Sequence, residues 1–296
     1  NPMTDQRDST VFFCQLSETQ DAQNTETEFS SLLHSAVAEL KRNPSMHGHT
    51  PWAVKIPLTS AGQTSAVPSH WLRALKSGLN EGDHSAGSFF DNLSITTAGL
   101  DTADGLRTRA EQLELQADFI VGDDPDQPKG KSVFLSEECA LPGITLSHVA
   151  AQAEGLLILN SVLPHPHLGL SGALFALGCG VLDRDSKLLL HRDIRPTVDT
   201  PLCAGCGSCL ATCIFDAIAI RSGRAYIDHK LCTGCGECMT ACHLAGISAE
   251  DAARIPRFQS QVAEAGYAVA CQSKAVENNS ILYANILTPI SRQDAG

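Results

Sequence analysis

Eight cysteines in two short runs carry the densest chemistry in this sequence. Cys203, Cys206, Cys209 and Cys213 follow the pattern Cys-x2-Cys-x2-Cys-x3-Cys, and Cys232, Cys235, Cys238 and Cys242 repeat it. Three thiolates within seven residues can wrap one corner of a cubane iron–sulfur cluster. The fourth lies too far along the chain to close on the same irons, and so ligates the other cluster. The expected sets are therefore Cys203, Cys206, Cys209 and Cys242 for one 4Fe–4S cluster, and Cys232, Cys235, Cys238 and Cys213 for the second. Zinc and disulfides are the competing readings. Zinc motifs usually supply cysteines in pairs. Disulfides suit secreted chains, and no secretory segment is read here.

These runs need a backbone that turns sharply around each site. Gly205, Gly207, Gly234 and Gly236 supply that freedom and let N–H groups aim at cluster sulfurs. Cys203 and Cys232 stand 29 residues apart, and each motif is followed by a matching apolar segment, FDAIAI and LAGISA. Between them IAIRSGRAYID alternates around Ser222-Gly223, which predicts a short hairpin. The spacing resembles that of bacterial two-cluster ferredoxins. A Pro commonly follows the fourth Cys in that motif; Ile214 and His243 stand there in this chain.

Composition bounds the rest. The chain has 296 residues, room for one large or two ordinary domains, with 43% apolar residues to build a core. A formal charge of −12 makes nucleic acid and anionic membrane surfaces poor partners, and suits a basic docking partner. Twelve cysteines imply a reducing, cytoplasmic compartment. Asn1-Pro2 ahead of Met3 reads as a remnant, with Met3 as the expected start. The uncharged run from Gly155 to Leu182 is broken by prolines, histidines and glycines, so it predicts a buried strand, a loop and a buried helix rather than a membrane span.

Strand and helix patterns alternate along the chain. Strands are expected at Thr10–Leu16, Trp52–Leu58, Ser88–Ile95, Asp118–Val121, residues 133–137, Gly155–Leu159 and Ile281–Leu287. Helices are expected at Glu26–Lys41, from Pro68, and at Asp104–Leu115, Ser147–Gln152 and Ala249–Gln272, with a start or kink at Pro256. The fold class is α/β: a largely parallel sheet with helices on both faces, plus an inserted α+β two-cluster ferredoxin-like module. Residues 1–199 form the first α/β segment, 200–248 the insertion, and 249–296 the closing helix and strand.

In this order of segments the chain resembles the ferredoxin-bearing form of the domain-of-unknown-function 362 family. WAVKIPLT, SFFDNL, DFIVGDD, EGLLILNSV and ILYANILTPI are similar to that family's successive strands, across most of residues 50–290. SVLPHPHLGLSGALFALGCG, followed by SKLLLH, stands where the family has its most distinctive glycine-rich run. The resemblance places His165, Lys187, His191 and the glycines at 169, 172, 178 and 180 on family positions. Ser161, Leu163 and Phe175-Ala176 replace a family His, Lys and Lys-Asn pair, which implies a pocket without its main cations.

Strand ends in open α/β sheets are where ligands sit. His165, His191, Asp91 and Asp123 are accordingly the candidate catalytic residues. His167 is expected to be a loop histidine bonded to backbone, Asp124 a turn cap, and Cys179 a small buried core residue. Cys14, Cys139 and Cys271 read as core. Dinucleotide, P-loop, serine-hydrolase and zincin motifs are not found. The leading expectation is an electron relay through two 4Fe–4S clusters to an α/β pocket or a redox partner protein. The alternatives are a reductase with its own small-molecule substrate, and a maturation or assembly protein whose clusters are structural or sensory.

Overall fold

A strand buried on both faces needs a near-continuous apolar run, and Leu156–Leu159 is one. It is an interior strand of a five-stranded parallel sheet, second in the order. The computed structural model describes residues 52–58, 87–97, 99–115, 118–137, 143–249, 253–273 and 281–286, with a few single positions between them. The expected strand at 10–16, nearly all of the expected helix at 26–41, Cys14 and the Asn1-Pro2 start lie outside the described residues. Leu72 and Leu75, from the expected helix after Pro68, are helical and buried.

The strands are β1 (Trp52–Lys55), β2 (Ser88–Asp91), β3 (Phe119–Val121), β4 (Ser132–Phe134), β5 (Gly143–Thr145) and β6 (Gly155–Ser161). Two short pieces, β7 (Pro164–His165) and β8 (Gly169–Leu170), pair as a small ladder. Then come β9 (Pro196–Val198), β10 (Ile218–Arg221), β11 (Arg224–Ile227), β12 (Ile247–Ala249) and β13 (Ile281–Ile286). The central sheet runs β13-β6-β1-β2-β3, with every pairing parallel. Alternate residues serve opposite faces. Ala53, Leu156 and Ile158 join one core, Trp52, Val54, Leu157 and Leu159 the other. That is the α/β sandwich expected, with most strands shorter than the apolar runs suggested.

The helices are α1 (Ala103–Gln112), α2 (His148–Gln152), α3 (Ala173–Phe175), α4 (Arg184–His191), α5 (Ser208–Thr212), α6 (Glu237–Thr240) and α7 (Arg254–Gln272). Three begin on a side-chain cap: Thr102, Ser147 and Asp183 accept from Gly105, Ala150 and Ser186 N–H respectively. The Asp183 cap starts α4, which was not among the expected helices. Pro256 sits in the first turn of α7, where its missing N–H costs nothing. α3 runs into a π-helical turn, Ala176–Gly180, that packs on α7. Such bulges are uncommon and often mark functional segments.

Residues 196–249 lie between α4 and α7 in the chain and add no strand to the central sheet. Two antiparallel ladders hold them: β10 with β11, and β9 with β12. The ladders match at the 29-residue offset. Ile218 pairs with Ile227, and Ile247 with Val198. The repeat thus begins at Pro196 and ends at Ala249, slightly wider than the expected 200–248. Among the described residues, no helix is long and apolar enough to cross a membrane.

A β-carbon on Gly178 would lie 2.3 Å from the carbonyl oxygen of Val262 in α7. Gly178→Ala is therefore expected to cost about 1–3 kcal/mol of stability through overpacking, read by urea denaturation. An unchanged midpoint would show that the π turn can move off α7.

Candidate metal centre

The two cysteine runs fold alike because the same glycines start the same helices. Gly207 and Gly236 take left-handed φ values of 84° and 83° immediately before α5 and α6. A residue with a β-carbon is strained there. Each turn hands its cysteines to a cavity.

One cavity is lined by Cys203, Cys206, Cys209 and Cys242, with Ile220, Leu244 and Ile247 among its apolar walls. The other is lined by Cys232, Cys235, Cys238 and Cys213, with Phe215, Ile218 and Ile227. Each therefore gathers three thiols from one run and the fourth from the other, the grouping expected from the spacing. Among the described residues, no three His, Cys, Asp or Glu side chains converge on a single-ion position. The thiols line the walls of a space instead.

Electrostatics make both thiol sets costly on their own. Burial, then the neighbouring thiols, pushes Cys238 up to about 12. Burial likewise raises Cys209, Cys232 and Cys235. Four thiolates could share such a space only around a cationic centre. Amide donors already point at the sulfurs: Ala225 N–H donates to Cys203 Sγ and Gly246 N–H to Cys242 Sγ, each at 3.3 Å.

The two loops differ in what covers them. Cys206 is exposed, and hydrogen bonds at Ser208 hold its thiol below the usual value. At the equivalent place in the second run, Thr233, Gly234 and Gly236 are buried against the α/β domain. Thr233 Oγ1 donates to Ile95 O at 3.2 Å. A β-carbon on Gly234 would lie 2.3 Å from His191 O, and one on Gly236 would lie 2.6 Å from His167 Nε2. His167 Nε2 is 3.2 Å from Gly234 O; a carbonyl only accepts, so Nε2 carries the proton. His167 Nδ1 is buried without a partner. His167 is thus bonded to backbone as expected, but the backbone is that of the cysteine loop.

The four expected catalytic residues do not form one site. Asp91 and Asp123 belong to a polar cluster at the carboxyl ends of β1, β2 and β3. Asp91 pairs with buried Lys55 at 2.6 Å and accepts the N–H of Leu58 and of Asn92 at 2.8 Å each. Asn92 Nδ2 donates to Gly180 O and Leu182 O, tying the π turn to β2. Asp123 Oδ1 accepts Leu93 N–H at 2.7 Å, and Lys187 Nζ donates to Leu93 O at 3.0 Å. Burial raises Asp123, and burial lowers Lys187. His165 and His191 stand apart, around aromatic rings: His165 lies 4.8 Å from Phe175, and His191 4.8 Å from Phe258. One turn of α4 joins the groups, since His191 Nδ1 donates to Lys187 O at 2.8 Å.

Lys55, Asn92 and Lys187 were not among the candidate catalytic residues, and the two lysines bring cations to Asp91 and Asp123. A lone lysine inside WAVKIP was the available signal. Asp124 caps its turn as expected, accepting Asp126 N–H and pairing with Arg107. Cys179 is fully buried, its thiol pushed up to about 11 by burial. Cys139 is half-buried, whereas Cys271 is exposed and does not join the core. No family model, no curated protein and no solved structure matches the chain.

Removing one partner of the Lys55–Asp91 pair leaves a buried charge. Lys55→Met is expected to cost about 3–5 kcal/mol, and adding Asp91→Asn to recover part of it; thermal and urea unfolding of both variants read this. Burial holds His191 down to about 3 and His165 to about 4. The unfolded chain binds protons near pH 6.5 that the folded chain refuses, so stability should be lost as pH falls below 6.5. His191→Asn should show a shallower acid slope than wild type. Equal slopes would assign the acid sensitivity to another group.

Proposed function

We propose that the chain is an iron–sulfur electron-transfer protein holding two 4Fe–4S clusters, one in each cysteine-lined cavity. The observation that carries this reading is the crossed grouping of thiols, three from one run and one from the other in each cavity. A single-ion zinc site would need four thiols at one point. When bound, such clusters supply one-electron couples whose potentials follow hydrogen bonding and solvent exposure. Cys203, Cys206, Cys209 and Cys242 hold the solvent-side position. Cys232, Cys235, Cys238 and Cys213 hold the inner one. Ala225 and Gly246 donate N–H to the first set, stabilising negative charge there. His167 and His191, both neutral, exclude water from the inner loop and fix its backbone.

On this reading the resemblance to the domain-of-unknown-function 362 family holds across most of residues 50–290, with 196–249 as the ferredoxin-like module. A second reading, a reductase with its own substrate site, draws support from one contact: α4 carries both Lys187 of the polar cluster and His191 against the inner cysteine loop. A substrate would then meet Lys55, Asp91, Asp123 and Lys187. Its cheap discriminator is whether any small molecule co-purifies or perturbs the Lys187 environment.

Anaerobic reconstitution should give about eight irons and eight sulfides per chain, with two interacting centres in electron paramagnetic resonance after reduction. Cys213→Ser should damage the inner centre and leave the outer one intact, although Cys213 lies in the first run. Iron near one or two atoms per chain, or loss of the outer centre in Cys213→Ser, would overturn the crossed assignment.

A further inference from the structure

The repeat makes the two cysteine loops equivalent, but only one is covered. Gly205 approaches the Gly223 carbonyl to 2.3 Å at the position of a β-carbon, and Gly234 approaches the His191 carbonyl to the same 2.3 Å. In the first half the neighbour is the tip of the β10–β11 hairpin. In the second half the chain has no such tip, because β9 and β12 come from opposite ends of the segment. The end of α4 stands in that place, and the α/β domain comes with it. One loop is thus capped by a folded domain, and its twin by a two-residue turn.

The open twin has a distinctive surface. Cys206 and Ala204 are exposed at the cavity. Ile220 and Leu244 line the same cavity and are 39% and 50% exposed, and Leu202 beside them is 51% exposed. From Thr200 to Cys213 the chain carries no charged residue. Arg221 and Arg224 stand opposite each other at the hairpin tip, both exposed. Like charges directly opposed in a ladder are unfavourable. Arg221 relieves part of this by stacking on Tyr226, 3.7 Å from the ring centre. Among the described residues neither arginine has a carboxylate partner. In a chain of net charge −12, the hairpin edge of this apolar centre is basic, while Asp199, exposed and backbone-bonded to Leu202 and Cys203, is an acid beside it.

Resting on the cluster reading above, we infer that this face is the electron-exchange surface, and that its partner is a small acidic one-electron carrier protein. This reverses the basic partner suggested by net charge alone. Acidic groups ringing the carrier's own centre pair with Arg221 and Arg224, while Leu202, Ile220 and Leu244 meet its apolar middle. One electron leaves the reduced carrier, which is oxidised, and one enters this chain; no bond forms and no proton moves.

The test uses the reconstituted full chain, with iron and sulfide assayed on every sample. Its probes are a net-negative plant-type 2Fe–2S ferredoxin and a net-positive c-type cytochrome. Binding is measured by calorimetry with all proteins oxidised, at low and high salt. Wild type should bind the ferredoxin, more weakly as salt rises. Arg221→Glu/Arg224→Glu should weaken it about tenfold at unchanged iron content. Arg221→Lys/Arg224→Lys should retain it, and Lys129→Glu, on a remote exposed turn, should not alter it. Equal binding by the reversed pair, tighter binding of the cytochrome, or no binding of either carrier by iron-loaded protein overturns the inference. A chain that takes up no iron overturns the cluster reading, and this inference falls with it.

Discussion

The architecture depends on a backbone contact that tolerates no side chain. Gly234 and Gly236 lie directly against His191 and His167, at distances where a β-carbon would overlap them. That contact fixes how close the inner cysteine loop comes to the α/β domain. It also explains why those histidines are held neutral. Each is closed in by the loop on one side and by the Phe258 ring on the other, so solvation of a charge is lost. Long polar side chains at the seam would have kept water between the halves.

The same contact breaks a symmetry that the sequence builds with care. Cysteines, glycines, helices and strand registers all repeat at one offset. A symmetric module would offer two equivalent faces. Because the chain enters and leaves through the second ladder, the α/β domain occupies one of them. Burial follows: Cys206 is exposed while Cys235 is raised by desolvation. Two sites with identical ligands are thereby given different surroundings, without any change in the ligands themselves.

Much of this was legible in the sequence, and the limits have physical causes. Short-range constraints read well. The thiol grouping follows from chain length between cysteines, and the hairpin from Ser222-Gly223, whose φ values of 48° and 72° suit a tight two-residue turn. The α/β class follows from alternating apolar runs. Long-range partners did not read. β9 is three residues of Pro, Thr and Val with no strand pattern of their own, and only pairing with β12 makes them one. Lys55 passed as one more residue of the Trp52–Leu58 strand because its partner Asp91 lies 36 positions away. Asp91, Asp123, His165 and His191 were grouped by strand-end logic. That logic finds the edge of a sheet but not which neighbour a helix residue will meet: α4 sends Lys187 to the aspartate cluster and His191 to the cysteine loop.

The seam also acts on the cysteine loop beyond holding it. His167 donates its Nε2 proton to the Gly234 carbonyl. The peptide unit of that carbonyl carries the N–H of Cys235. Hydrogen bonds along a chain polarise one another, so a donor at the carbonyl strengthens the N–H at the other end of the same unit. The outer loop meets a carbonyl at Gly205, and its amide donors come from β11 and from Gly246. Both thiol sets accept backbone amides, the outer from Ala225 and Gly246 and the inner from Gly234 and Glu237. What the inner loop has in addition is a buried, neutral imidazole on one of its carbonyls. A cation in that place would have required desolvation that the packing around Phe258 does not repay.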